Sequence, residues 1–156
     1  MSTNWHELKE NIYFDDGSFL DIYAFDITLE DWKKWVDFVN QTYEVEFVYG
    51  ETEQKLSSIE FSRVKEVWFD NDKFVNLSTV KIGGLNINCH FFQIDEFEND
   101  ISPKEFKNLN DHNLLIDYMK KLAKVFNKKI FLTLEGAPHF VLIEVSESEI
   151  LLKYEK

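Results

Sequence analysis

Cys89 and His90 stand side by side in the chain, and Cys89 is its one cysteine. A cysteine nucleophile needs a base within hydrogen-bonding reach. Successive residues of a β-strand point to opposite faces of a sheet, so these two side chains cannot meet if the segment is extended. Cys89 also alternates with Leu85 and Ile87, which predicts an inert thiol in the apolar core. The pair therefore argues against thiol catalysis.

A metal site is the second chemistry that His90 could serve, together with the carboxylates of Asp95, Glu96 and Glu98. Imidazole and carboxylate groups are plausible ligands for a divalent ion. However, Glu96 and Glu98 follow His90 by six and eight residues, which is roughly 20–26 Å along a straight strand. We therefore interpret these carboxylates as the solvated acidic end of a strand and predict no metal site.

Carboxylate pairs are too frequent here to indicate a catalytic acid and base, because 29 of the 156 residues are Asp or Glu. A carboxyl group acts as a general acid only when its surroundings raise its pKa. The chain lacks a Gly-rich phosphate loop and the HExxH, CxxC and GxSxG motifs. Gly83-Gly84, its one glycine pair, lies between two strand-like segments. We therefore predict a non-enzymatic protein with no catalytic residue and no cofactor.

The acidic residues are concentrated in the first two thirds of the chain. Residues 1–100 contain 21 Asp and Glu against 8 Lys and Arg, whereas residues 101–156 contain 8 acidic and 9 basic residues. A localised negative field attracts basic partners and repels nucleic acids and anionic membranes. The lysines of the last predicted helix lack the interleaved exposed aromatic residues that indicate nucleic-acid binding. We therefore predict a basic protein partner, with neither nucleic acid nor membrane binding.

An aromatic side chain among these carboxylates would anchor a protein partner, because Trp and Tyr are enriched at the centres of interfaces. Trp68 is the best candidate, since the acidic segment Asp70–Asp72 follows it closely. The same pattern is typical of a tryptophan in the core, and the sequence leaves both interpretations open. The predicted partner-binding residues are aromatic or acidic: Trp68, Asp70, Asp72, Asp95, Glu96, Glu98 and Asp100.

Length and composition predict a single domain over residues 1–156. One cysteine cannot form an internal disulfide, which suits a reducing compartment. The first residues lack the basic start and apolar stretch of a secretory signal. No run approaches the ~18 apolar residues of a membrane span. We therefore expect a soluble cytoplasmic protein.

The spacing of apolar residues predicts an α+β fold, a mainly antiparallel sheet with two main helices and one shorter helix packed on it. Thr28 caps the clearest helix, whose apolar arc includes Trp32 and Trp35. The predicted helices cover 29–41, 58–69 and 112–127. The predicted strands cover 11–14, 19–26, 43–49, 75–82, 85–98, 130–135, 139–146 and 149–154, with hairpin turns at 15–18 and 83–84 and a bend near Phe92.

Two parts of the chain resemble small acidic bacterial proteins, many of them uncharacterised and some described as immunity proteins of polymorphic toxin systems. The first part is Phe14–Tyr23 continuing into Thr28–Trp32, and the second is Ile82–Phe92. They cover about a sixth of the chain and carry hairpins and a capped helix rather than a catalytic motif. The resemblance implies a toxin-neutralising protein with no active site to carry over.

Charge and resemblance together predict an immunity-type inhibitor that docks its acidic surface on a basic toxin domain, such as a nuclease, and covers the positive active site. The alternative is a small-ligand-binding protein or an enzyme with an aromatic-lined pocket near His90, where Asn86 and Asn88 supply the polar groups. A third hypothesis is a structural subunit that forms a homo-oligomer and buries Trp68.

Overall fold

Helices pack against one side of a nine-stranded antiparallel sheet, which confirms the α+β class. A computed structural model describes residues 4–50, 54–69 and 76–154. In these ranges the helices are α1 (Trp5–Asn11), α2 (Leu29–Thr42), α3 (Phe61–Phe69) and α4 (Leu109–Phe126), with a short 3-10 helix at Pro103–Glu105. The strands are β1 (Leu20–Phe25), β2 (Glu44–Tyr49), β3 (Lys55–Leu56), β4 (Asn76–Ile82), β5 (Leu85–Cys89), β6 (Glu96–Ile101), β7 (Ile130–Leu134), β8 (Val141–Val145) and β9 (Ile150–Leu152). Their order across the sheet is β3-β2-β4-β5-β6-β1-β7-β8-β9.

The sheet has one face covered by helices and an opposite face, which we call the open face. Buried and half-buried residues alternate along β4, β5 and β6, as expected for strands covered on one side. Phe97 of β6 packs its ring against Trp32 and Trp35 of α2 and against Phe126 of α4. The residues that flank Phe97 in β6 therefore point to the open face.

Helix α2 begins where the sequence predicts, and its aromatic arc forms the centre of the core. Thr28 and Asp31 make a reciprocal capping box, which satisfies backbone N–H groups that the first turn leaves free. Trp32 and Trp35 are almost completely buried. The Trp35 indole donates its Nε1–H to the hydroxyl of Tyr118 in α4 at 3.2 Å. The predicted core position of both tryptophans is confirmed.

The strand predicted over 11–14 and the hairpin predicted over 15–18 are wrong, because the chain enters the fold as α1, a helix beyond the three predicted. Trp5, Leu8 and Ile12 are spaced by three and four residues, which is a helical period. Leu8 and Ile12 are fully buried, so the helical period outweighs the short apolar run that ends at Phe14. Residues 13–19 form an irregular connection to β1.

The long strand predicted over 85–98 is in fact two antiparallel strands, β5 and β6. Phe91 adopts a φ of 55°, in a left-handed region that non-glycine residues seldom occupy. After this residue the chain returns beside β5, where Asn88 pairs with Asp100 of β6. The predicted bend near Phe92 is thus a reversal of chain direction, and it decides which residues become neighbours on the open face.

A buried histidine connects the segment after α1 to α4. Tyr13 Oη and His112 Nδ1 lie 2.7 Å apart, and the Tyr13 ring stacks on Phe106 with 4.3 Å between centroids. Burial lowers the pKa of His112 to about 4. The imidazole is therefore neutral at pH 7 and shares a hydrogen bond between its Nδ1 atom and the Tyr13 hydroxyl.

We expect acid to destabilise the protein through His112. Its ordinary pKa of 6.5 falls to about 4 on folding, so the unfolded state takes up the proton first as the pH falls. The stabilisation is fully present above pH 6.5 and is lost toward pH 4 and below, by about 3 kcal/mol in total. Urea unfolding at pH 7 and at about pH 4 should show a smaller loss for His112→Asn than for the wild type. Equal losses would contradict the prediction.

Candidate functional site on the open face

The open face collects the acidic residues of β6 and their neighbours. Glu96, Glu98 and Asp100 alternate with buried core residues, so their side chains point away from the helices. β1 lies beside β6 and places Asp21 opposite Asp100 and Tyr23 opposite Glu98. Four carboxyl groups from two neighbouring strands therefore share one side of the sheet.

Asp21 is the most deeply buried of these four, with 5% of its surface exposed. Its Oδ2 atom accepts hydrogen bonds from the Gly136 N–H at 2.7 Å and from the Tyr23 hydroxyl at 3.2 Å. Burial nevertheless raises the pKa of Asp21, and the charges of Asp100 and Glu135 add to the rise. Folding therefore holds this carboxylate where its charged form is disfavoured.

Glu98 has the same property. Burial raises its pKa, and the charges of Asp21, Glu96 and Asp100 raise it further, while the Tyr23 hydroxyl partly opposes them. The Tyr23 hydroxyl thus opposes the rise in pKa of both Asp21 and Glu98. Burial and the two neighbouring acids also raise the pKa of Tyr23, so its hydroxyl stays protonated and remains a donor.

We expect neutral substitutions at these positions to stabilise the isolated protein. Because the folded pKa of Asp21 and Glu98 lies above the unfolded value, stability falls as the pH rises through the folded pKa. Asp21→Asn and Glu98→Gln keep the size and remove the charge, so each should raise the free energy of unfolding at pH 7 by about 0.5–2 kcal/mol. Urea unfolding measures this, with Glu147→Gln in the exposed β8–β9 turn as the control. Lower stability in both variants would contradict the prediction.

Asp100 connects the acidic strand to polar side chains of β5 and β4. Its two oxygens contact His90 Nε2 at 3.1 Å and Asn88 Nδ2 at 3.0 Å. Asn88 Oδ1 in turn accepts a hydrogen bond from the Thr79 hydroxyl at 2.9 Å. The network fixes Asp100 through an imidazole and an amide, neither of which carries a permanent positive charge.

Phe92 is an exposed aromatic residue beside this network. Its surface is 65% exposed, and its ring stacks on His90 with 5.1 Å between centroids and 11° between planes. Since Asp100 holds His90, the stacking contact with His90 orients the Phe92 ring. The sequence predicts a bend near Phe92 and does not single out its side chain, although an aromatic residue two positions after a histidine is visible in the sequence.

The carboxylates at the centre of the open face have no ion pair with Lys or Arg among residues 4–50, 54–69 and 76–154. The lysine pairs on this face lie toward its sides. Lys81 contacts Glu46 of β2 at 3.2 Å, and Lys129 contacts Glu144 of β8 at 3.6 Å. The carboxylates of β6 and β1 therefore have no lysine or arginine partner within the described part of the chain.

Three of the predicted partner-binding residues lie together on the open face: Glu96, Glu98 and Asp100. Asp95 precedes them in an exposed turn, where its carbonyl oxygen accepts the Ile27 N–H at 3.0 Å. Two predicted residues lie outside the described ranges: Asp70 and Asp72.

Trp68 lies on the helix side of the sheet and is separated from the acidic strand. Its ring is 5.2 Å from that of Trp32, centroid to centroid, and also contacts the ring of Phe61. Its Nε1–H is donated to the carbonyl oxygen of Phe91 at 2.8 Å. Trp68 therefore holds the turn at Phe91 from the helix side of the sheet, and Phe92 extends from the same turn on the other side.

The residues considered for thiol catalysis, for a metal site and for a ligand pocket do not form a common site. Cys89 is fully buried on the helix side, where burial raises the pKa of its thiol, whereas His90 lies on the open face. Asn86 is engaged by Glu105, which accepts its backbone N–H at 2.8 Å and its Nδ2–H at 2.7 Å. In the described residues no three His, Cys, Asp or Glu side chains group as metal ligands.

A groove of about 500 Å³ lies at another part of the sheet, between the end of α1 and β8. Its lining includes Phe14, Leu142, Phe140 and Lys153 and does not include His90. The aromatic-lined pocket predicted near His90 is therefore not this groove.

No protein-family model, curated protein or solved structure matches the chain. No helix of the described residues combines the length and apolar character needed to cross a membrane. The charges and contacts of the open face are thus the basis for a functional proposal.

Proposed function

We propose that the protein is a non-enzymatic binding module whose open face docks on a basic protein, and that it acts in the cytoplasm as an immunity-type inhibitor of a basic toxin domain. The observation that supports this is the set of carboxylates of Asp21, Glu96, Glu98 and Asp100, which has no lysine or arginine partner among the described residues. Two of them, Asp21 and Glu98, are present although burial raises their pKa. Groups that oppose folding are typical of sites where function requires them.

A cationic partner would offset the repulsion among the carboxylates of this face. Lys or Arg groups within about 4–6 Å of Asp21 or Glu98 would favour the charged carboxylates and lower their pKa. Long-range attraction would also speed the encounter, to about 10⁸–10⁹ M⁻¹s⁻¹ at low salt. The phosphates of nucleic acids and anionic membranes would meet repulsion from the same field.

Phe92 supplies the apolar contact that charge alone does not provide. Interfaces derive most of their binding energy from a few desolvated side chains surrounded by a polar rim. The Phe92 ring is exposed, pre-oriented by His90 and adjacent to the carboxylate of Asp100 through that histidine. We expect this ring to enter an apolar pocket of the partner, with Glu96 and Glu98 contacting cations around it.

The toxin-inhibitor role is proposed from the resemblance of Phe14–Tyr23 with Thr28–Trp32, and of Ile82–Phe92, to small acidic bacterial proteins, some of them described as immunity proteins. The second segment includes Asn88, His90 and Phe92 and so forms part of the open face. A nuclease binds phosphates with cationic groups, and an acidic surface with an aromatic anchor complements such a site. Occupying it would exclude the nucleic acid without any chemical step by the inhibitor.

Co-expression tests the role directly. The C-terminal domain encoded by the gene immediately upstream is produced in a bacterial host with and without this protein. We expect the domain to stop growth, the wild type to restore it, and Glu96→Lys/Glu98→Lys to fail. A domain that is harmless, or toxic but not neutralised, would contradict the immunity role. Rescue by the double variant would place the contact on another surface.

A further inference from the structure

β9 is the last strand in the sheet order, and no strand of the described residues pairs with its outer edge. Lys153 N–H donates to the Leu142 carbonyl at 2.8 Å, and Ser146 N–H donates to the Glu149 carbonyl at 2.9 Å. Hydrogen-bonded pairs alternate along an antiparallel ladder. The backbone N–H and C=O groups of Ile150 and Leu152 therefore point away from β8.

The same edge carries exposed apolar side chains. Ile150 and Leu152 are 40% and 44% exposed, and Phe140 and Phe14 are exposed in the neighbouring groove. These are four of the eight large apolar side chains exposed in the described residues. An apolar edge strand is a template for pairing with a further strand.

We propose that β9 pairs with β9 of a second copy of this chain, antiparallel and centred on Leu151. This register places Ile150 opposite Leu152 of the second copy, and Leu152 opposite its Ile150. Both positions direct their backbone groups outward, so the pairing forms four backbone hydrogen bonds. An isologous contact of this kind closes at two copies and leaves no edge for a third at this site.

Charge complementarity selects the second copy as the occupant. In the register centred on Leu151, Glu149 faces Lys153 of the second copy, and Lys153 faces its Glu149. Both residues are exposed, and neither forms an ion pair within the described residues. Opposite charges across a strand pair stabilise it, so one chain supplies both halves of each contact.

The resulting sheet would continue through both copies. The two-fold axis of an antiparallel strand pair is perpendicular to the sheet, so both open faces point to the same side. This inference does not depend on the proposed function, because β9 is separated from β6 by β1, β7 and β8.

Sedimentation equilibrium over a concentration series tests the dimer. We expect the weight-average mass of the wild type to rise from the chain mass of 18.6 kDa toward twice that value. Glu149→Lys and Lys153→Glu each replace two attractive contacts by two repulsive ones, so each should lower the association constant roughly tenfold. Circular dichroism controls for the fold of each variant, which these exposed positions should preserve.

Mixing the two variants provides the decisive comparison. The Glu149→Lys protein carries only positive charges at these two positions and the Lys153→Glu protein only negative ones, so both contacts between the two proteins are attractive. We expect the mixture, and the double variant Glu149→Lys/Lys153→Glu, to recover dimerisation. A wild type that stays monomeric throughout the series, or single variants that dimerise as strongly as the wild type, would overturn the proposal.

Discussion

Association with the proposed partner, the upstream-encoded domain, should slow on the order of 100-fold at low salt when Glu96 and Glu98 are replaced by lysine. The double variant removes two negative charges from the centre of the open face and adds two positive ones. Electrostatic steering acts on the encounter rate, and counter-ions screen it within a Debye length of about 8–10 Å. The difference from the wild type should therefore shrink as salt is added. Stopped-flow or surface-based association rates over a salt series measure it.

A matched variant separates the open face from net charge. Asp37→Lys/Glu66→Lys makes the same change in net charge at exposed positions of α2 and α3, on the helix side. We expect its association rate to stay within a few-fold of the wild type, because steering depends on where the charge lies. If both double variants slow association equally, the association rate depends on net charge alone, and the open face is not the contact surface.

The Glu96→Lys/Glu98→Lys variant should remain folded, which makes its binding result interpretable. A lysine at position 98 would stand near Asp21 and Asp100, whose charges now raise the pKa of Glu98. Replacing repulsion by attraction at this position favours the fold rather than opposing it. Unfolding in urea checks this, and a variant much less stable than the wild type would show that these carboxylates serve the structure.

Local patterns predicted the elements whose signals lie within a few residues. Thr28 and Asp31 predict the capping box of α2, and the spacing of Trp32 and Trp35 predicts that both side chains are buried. The segment before β1 shows the limit of such patterns. The short apolar run that ends at Phe14 predicts a strand over 11–14, whereas the helical spacing of Leu8 and Ile12 extends over more of the chain and matches the observed helix.

The reversal between β5 and β6 could not be predicted from alternation. Odd-numbered residues face the core in both strands, including Cys89 in β5 and Phe97 in β6, so the pattern continues as if one strand ran through. The positive φ of Phe91 is an unfavourable backbone conformation that persists only where the surrounding tertiary structure maintains it. A single continuous strand over 85–98 would not predict the contact of His90 with Asp100 or the exposure of Phe92.

The acidic site was half predictable for the same reason. Glu96, Glu98 and Asp100 alternate within one strand, so their common face follows from the sequence. Asp21 joins them through the pairing of β1 with β6, a long-range contact that no local pattern encodes. The raised pKa of Asp21 and Glu98 depends on that pairing and on burial, so it emerges only with the fold.

Replacing Trp32 by alanine should lower the free energy of unfolding by about 3–5 kcal/mol, out of a total of about 5–15 kcal/mol typical of a domain. Its ring contacts those of Trp35, Trp68, Phe91 and Phe97. Its Nε1–H also donates to the carbonyl oxygen of Ile94 at 2.7 Å. Trp32→Phe keeps much of the ring packing and loses that hydrogen bond, so it should cost about 1–3 kcal/mol. Urea unfolding followed by circular dichroism measures both.

The matched substitution at Trp68 distinguishes a core role from a contact role. Trp32 and Trp68 donate to Ile94 and Phe91, so two indoles hold the turn that carries Phe92. If Trp68 acts through this turn, Trp68→Ala should lower stability by about 2–4 kcal/mol, and it should weaken binding mainly by speeding dissociation, since Phe92 loses its support. If Trp68 contacts the partner directly, as the sequence also allowed, the same variant would weaken binding while leaving the free energy of unfolding nearly unchanged. Measuring both quantities on one variant decides between the two roles.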